Sequence, residues 1–245
     1  MIYVNKEKLE FHLTNGKISY VFRVLPKIQQ LEHLYFGKSI RHRISYDYLT
    51  EREVRPSNNQ FEGDYTSSLE HIKQEYPTFG TTDFRYPALE IKYPKGDKIA
   101  EFKYQSYEIH LGKPKLEGLP ATYVKEEQEA QTLEIILKDE YSELTAHLLY
   151  TIYADYNGII RSTKVVNQGQ QTYSLDTAMS ASIDFPNAEF EFIHLHGAWA
   201  RENHLERKPL LTGVQAVSST RGASSHAHNP FMALAKPNTT EHEGE

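Results

Sequence analysis

The chain contains no cysteine, which excludes a disulfide framework and thiolate chemistry and is compatible with an intracellular home. No apolar run approaches the roughly 20 residues of a membrane span, so no membrane partner is expected. The opening stretch Met1 to Lys6 lacks a basic segment followed by an apolar one, and it does not read as a secretory signal. Basic residues are outnumbered 27 to 33, for a formal charge of -6. That mild acidity, spread along the chain, argues against nucleic acid, whose phosphates call for a concentrated basic face. A soluble, cytoplasmic protein is expected. Tryptophan occurs once, against 17 tyrosines and 11 phenylalanines. Aromatic, β-branched composition punctuated by glycine and proline favours strands over helices.

Period-two alternation dominates where any period is visible. Ile18 to Val24 alternates cleanly, and Leu31 to Phe36 less so. Leu89 to Tyr93 is a short alternating run closed by the turn signal Pro94-Lys95-Gly96-Asp97, and Ile99 to Leu111 follows, so the two runs read as a hairpin. Thr132 to Lys138, Leu144 to Tyr153, Ile159 to Val166 and Tyr173 to Phe185 are further strands, with Asn157-Gly158 as a tight turn. This spacing predicts an antiparallel meander folded into a sandwich, with no helix beyond about two turns. Residues 38–87 carry no period but many aromatics, and read as an ordered excursion packing on something, another subunit included. From Gly197 onward the chain reads as irregular. No strand follows Phe231 to Ala235, which leaves a sheet edge open and suggests a truncated domain.

Chemistry-bearing residues are present without a decisive pattern. His194 and His196 share one face of a predicted strand, and His226 and His228 repeat the spacing. The two pairs would compose a tetrahedral metal site only if they met, and locally hydrogen-bonded histidines are commoner, so no metal is assigned. Asp64, Asp83, Asp176 and Asp184 are available for the paired carboxylates of a glycosidase, yet nothing in the spacing pairs them. No Gly-x-Ser-x-Gly elbow accompanies the serine-rich stretch from Ser218 to His226, and phosphate-cradling glycine loops are missing. No catalytic residue and no cofactor is assigned. The lone Trp199 is compatible with the core and equally with an exposed platform for a sugar ring.

Several longer strings are more specific. They are Gln74-Glu75-Tyr76-Pro77 followed by Gly80 and Thr82-Asp83-Phe84-Arg85, then Gly118 to Val124 and Asp184-Phe185-Pro186. His194-Leu195-His196-Gly197-Ala198-Trp199, Pro209 to Gln215 and Arg221 to Phe231 complete the set. In that order, over essentially all 245 residues, the chain resembles the amino-terminal part of family 36 glycoside hydrolases, the α-galactosidases. The resemblance implies an all-β antiparallel β-supersandwich of two large stacked sheets, lacking its last strands and the (β/α)8 barrel that carries catalysis. It implies a parent enzyme that hydrolyses terminal α-1,6-galactosides such as melibiose and raffinose with retention. Its partners are such galactosides, its own catalytic domain and the neighbouring subunits of a homotetramer. In the family, loops of this domain reach a neighbour's galactose pocket with an acidic residue and a tryptophan. Trp199 matches the tryptophan and Glu53 is the best match for the acid, with Asp64 and Tyr65 as weaker substrate-binding candidates. Two other readings remain: a free-standing carbohydrate-binding β-sandwich, and a mutarotase-like catalytic sandwich.

Overall fold

A computed structural model describes residues 1–52, 60–61, 63–80, 85–118 and 121–242. Two compact units divide the chain, Met1–Asp184 and Phe185–Glu245. The first is built on two antiparallel four-stranded sheets. One is the meander β1 (Ile2–Asn5), β2 (Glu10–Thr14), β3 (Ile18–Val24) and β4 (Leu31–Lys38). After β5 (Gln60–Phe61), β6 (Asp64–Ser68) and β7 (Leu89–Lys92) comes the second meander. It comprises β8 (Phe102–Leu111), β9 (Ala130–Asp139), β10 (Leu144–Tyr153) and β11 (Ile159–Asn167).

Alternation decides which faces meet. On β9 the odd-numbered Leu133 and Ile135, and on β10 the even-numbered Leu148 and Tyr150, are fully buried, because successive side chains leave opposite faces of a strand. They share one core with Phe11, Leu13, Tyr20 and Phe22 of the first sheet. Phe22 stacks on Tyr150 with ring centroids 4.8 Å apart, and Tyr107 meets Phe11 edge-on at 5.3 Å. Truncating such a ring to alanine costs about 3–5 kcal/mol. The all-β sandwich expected from the sequence is therefore present.

Three expectations are corrected. The runs on either side of Pro94–Asp97 do not form a hairpin: the turn closes, with the Gly96 N–H donating to the Tyr93 carbonyl, but β7 pairs with β12 (Ser174–Ala178) and β8 pairs with β9. The reason is that Phe79 lies between the two runs: its N–H donates to the Leu89 carbonyl and its own carbonyl accepts from the N–H of the buried Ala100. The last run of the predicted meander accordingly leaves it as β12. Third, the stretch after Gly197 is irregular only in part: residues 210–227 carry no strand, but two strands flank them. In the second unit β13 (Glu191–Ala198) lies between β14 (Arg201–Pro209) and β15 (His228–Ala235). Among the described residues of the excursion over 38–87, Tyr46, Leu69, Ile72 and Tyr76 are buried within the first unit. Among the described residues, the only helical turns are the 3-10 turns Asp47–Leu49 and Glu127–Glu129, and no helix is long and apolar enough to cross a membrane.

At the centre of the first unit lies a buried ion pair. The Arg161 Nη1 donates to Glu75 Oε1 at 2.7 Å and to the Tyr20 hydroxyl at 2.8 Å. Tyr20 donates to the same carboxylate oxygen at 2.7 Å, and His33 Nδ1 lies 2.9 Å from the other. Burial pushes the Glu75 carboxyl up, but Arg161 and His33 outweigh it and hold it below the usual range. Glu75→Ala leaves Arg161 without its anion, and urea unfolding is expected to show a loss of about 3–5 kcal/mol.

A second buried group makes stability depend on pH. His12 sits between Ser19, 2.8 Å from Nε2, and Tyr46, 2.7 Å from Nδ1. Burial, with His42 and the amino terminus adding to it, lowers its pKa to about 4. A depressed folded pKa means that the folded state binds fewer protons, so its contribution is complete above the unfolded value of about 6.5 and is lost as pH falls toward 4. Denaturant titrations of His12→Gln are expected to show a shallower decline in stability than the parent chain between about pH 6.5 and 4.

Candidate functional site

The β13–β14 hairpin carries the most exposed large aromatic ring among the described residues. Ala198 pairs with Arg201, so Trp199 and Ala200 form the two-residue tip, and the indole is 81% exposed. Ala200 takes a left-handed φ of 61°, and its N–H donates to Glu202 Oε1 at 2.9 Å. Gly197 is required here by close approach: a Cβ would lie 2.5 Å from the Arg201 carbonyl oxygen and 2.7 Å from Glu202 Cα. The Gly197 N–H donates to the Ala227 carbonyl at 3.1 Å, tying the hairpin to the stretch from Arg221 to Phe231. Just before that stretch Ser219 serves a turn, since its Oγ donates to the Ala223 carbonyl and accepts from the Arg221 N–H. An indole held this way offers an apolar face to a sugar ring or a protein partner.

The other sequence-predicted residues belong to the first unit. Glu53 lies outside the described residues. Asp64 and Tyr65 are consecutive on β6 and so leave opposite faces of the strand. Asp64 accepts from the Thr66 N–H at 2.9 Å and from its hydroxyl at 2.7 Å, and these bonds hold its carboxyl at about 2. It is a hydrogen-bond acceptor near neutral pH, with no proton to donate. Tyr65 is exposed. The further carboxylates are held by cations: Asp176 by Lys98 at 2.8 Å and Asp184 by Arg85. Asp83 lies outside the described residues.

The two His-x-His pairs meet through His228. His204, His196 and His228 lie opposite one another on β14, β13 and β15. The His194 ring is 5.7 Å from His196 and 6.0 Å from His228, and its Nε2 lies 2.8 Å from Glu206. Convergence of three donor atoms within 4.8 Å is confined, among the described residues, to Glu108, His110 and Glu134 of the first unit. Sequence reading missed that group, although Glu108 and His110 are two apart on a predicted strand. A cleft of about 800 Å³ is also present, lined by Tyr123, Tyr153 and Tyr156 with Lys125, Glu129 and Asp155.

Known proteins share this architecture and its sequence. Residues 29–245 match the glycosyl hydrolase family 36 N-terminal domain, and the chain belongs to that family. It is 45% identical to alpha-galactosidase AgaA of Geobacillus stearothermophilus over 98% of this chain and 33% of that protein. The crystal structure of AgaB from the same organism superposes with a TM-score of 0.91 at 44% identity, covering 100% of this chain and 33% of that one. A substituted AgaA in complex with raffinose matches with a TM-score of 0.90 at 46% identity, over 96% of this chain and 33% of its own. The chain thus spans about a third of the length of the curated relatives it matches.

Because Trp199 is the only tryptophan, intrinsic fluorescence excited at the indole's red edge reads the hairpin tip alone. The native chain is expected to show the red-shifted, readily quenched emission of a solvated indole. Gly197→Ala is expected to change the amide shifts of the surrounding hairpin while those of β9 and β10 stay in place; an unaltered hairpin spectrum would contradict the close approach described.

Proposed function

We propose that the chain is the non-catalytic amino-terminal part of an α-galactosidase, whose glycosidic chemistry is carried by a separate catalytic domain of the same enzyme. The observation that supports this most is the match to family 36 over residues 29–245, at about a third of the relatives' length. The carboxylates Asp64, Asp176 and Asp184 agree with it, each held by a local hydrogen bond or a cation rather than paired for acid–base work. The substrates of the parent enzyme are terminal α-1,6-galactosides of the raffinose and melibiose type. The enzyme works in the cytoplasm as a homotetramer, in which Trp199 and Glu53 reach a neighbouring subunit's galactose pocket. An exposed indole on a short, braced hairpin suits that task, because it adds apolar area to a sugar face with little freedom left to lose.

A second reading, a carbohydrate-binding sandwich, is favoured by the tyrosine-lined cleft, where Tyr123 and Tyr156 present exposed rings beside Glu129 and Asp155. Saturable galactoside binding by this chain, lost in Tyr123→Ala and Tyr156→Ala, is the result that reading requires.

The leading proposal is tested on p-nitrophenyl α-galactoside. Activity is expected from the enzyme expressed through its whole reading frame and not from these 245 residues. Trp199→Ala in the whole enzyme is expected to raise KM about tenfold or more, corresponding to at least ~1.4 kcal/mol of lost binding. An unchanged KM in an intact oligomer would count against the role assigned to Trp199.

A further inference from the structure

β8, β9 and β10 lie side by side, and alternation sends Glu134 and His147 to the face opposite the buried Leu133, Ile135 and Leu148. Glu108 is the direct cross-strand neighbour of Glu134, and His110 follows two residues later on β8, so it shares the face of Glu108. His110 Nε2 lies 2.8 Å from Glu134 Oε2 and 3.8 Å from Glu108 Oε2. The three donor atoms all fall within 4.8 Å of one another. On the other side of the Glu134 carboxylate, His147 Nδ1 lies 2.7 Å from Oε1. Glu134 and His147 are each only 19% exposed, so their positions are set by the sheet.

We infer that Glu108, His110 and Glu134 form a site for one divalent transition cation of the zinc(II) class, with His147 as the positioning residue for Glu134. A tetrahedral ion with bonds of about 2.0–2.2 Å separates its donor atoms by about 3.3–3.6 Å, and the two His110 separations, 2.8 and 3.8 Å, fall on either side of that range. The donor set, one imidazole and two carboxylates with a place for water, matches ions of intermediate softness; magnesium and calcium favour all-oxygen shells. Binding uses the His110 Nε2 lone pair, with the ring's single proton on Nδ1, and leaves the Glu134 carboxylate hydrogen-bonded to His147, a second shell of the kind that orients ligating groups. The ion joins β8 to β9.

The test is calorimetric titration of the intact chain, stripped with EDTA and dialysed, with zinc chloride. Saturable binding of one ion per chain is expected. His110→Ala and Glu134→Gln should each weaken it tenfold or more, and His147→Ala about tenfold. His196→Ala, in the histidine row of the second unit, should leave it unchanged. Magnesium chloride should give no saturable heat. No saturable zinc binding, or binding that survives His110→Ala and Glu134→Gln, or binding that His196→Ala abolishes, overturns the assignment. Cobalt(II) absorption of the unsubstituted chain reads the same site without any variant: intense visible bands of a four-coordinate ion support it, and only weak six-coordinate bands refute it.

Discussion

The contact on which the first unit depends is the buried ion pair of Glu75 with Arg161. Its members come from parts of the chain far apart in sequence: Tyr20 on β3, His33 on β4, Arg161 on β11 and Glu75 in the excursion. Apolar packing alone would let the two sheets slide, because the hydrophobic effect is non-directional. A carboxylate with no exposed surface accepts few alternatives. It needs its guanidinium and phenol in place, and any shift of one sheet against the other leaves a buried charge uncompensated. Arg161 also lies over the Tyr150 ring at 3.9 Å, which couples the polar lock to the aromatic stack of Phe22 and Tyr150. The excursion is thereby fixed to the core at Glu75, and its buried Tyr76 adds a hydrogen bond to the Met179 carbonyl.

The hairpin bearing Trp199 is made by different means. Its tip has no core to lean on, so backbone geometry sets its shape: the glycine that lets β13 and β14 approach, the left-handed Ala200 and the Glu202 carboxylate that receives the Ala200 N–H. Non-glycine residues in the left-handed region carry some strain, and here the side-chain hydrogen bond offsets it. The outcome is an indole that stays exposed while its backbone is held on both sides, by β14 and by the Ala227 carbonyl.

Legibility in the sequence follows burial. The strands β9 and β10 were readable because one face of each is packed, and alternation records that packing directly. β14 left no such record: most of its residues are exposed, so polar residues are tolerated on both faces and the period vanishes. The turn at Pro94–Asp97 was readable, but partner choice was not, because Phe79, from before β7, comes between Leu89 and Ala100 and no local pattern encodes that. Of the site, Trp199 was visible as a residue and its exposure was not. The Glu75 lock was hidden for a similar reason: a glutamate, an arginine and a tyrosine separated by up to 141 positions carry no spacing signal. The longer strings identified the family where these periodicities were silent.

The sheet of the second unit is only half explained by its own residues. Leu205 and Leu195 are opposite one another on one face of it, and Leu205 is 67% exposed. Met232, opposite His194 on the other face, is 69% exposed. A three-stranded sheet gains independent stability by burying a hydrophobic face, yet this one presents apolar side chains from both. Such surfaces are costly in water and mark places where another layer is laid down. On the proposed reading the remainder of the enzyme and its neighbouring subunits supply those layers. The exposed indole then belongs to the same logic as Leu205 and Met232, with the difference that its hairpin is braced to hold it out.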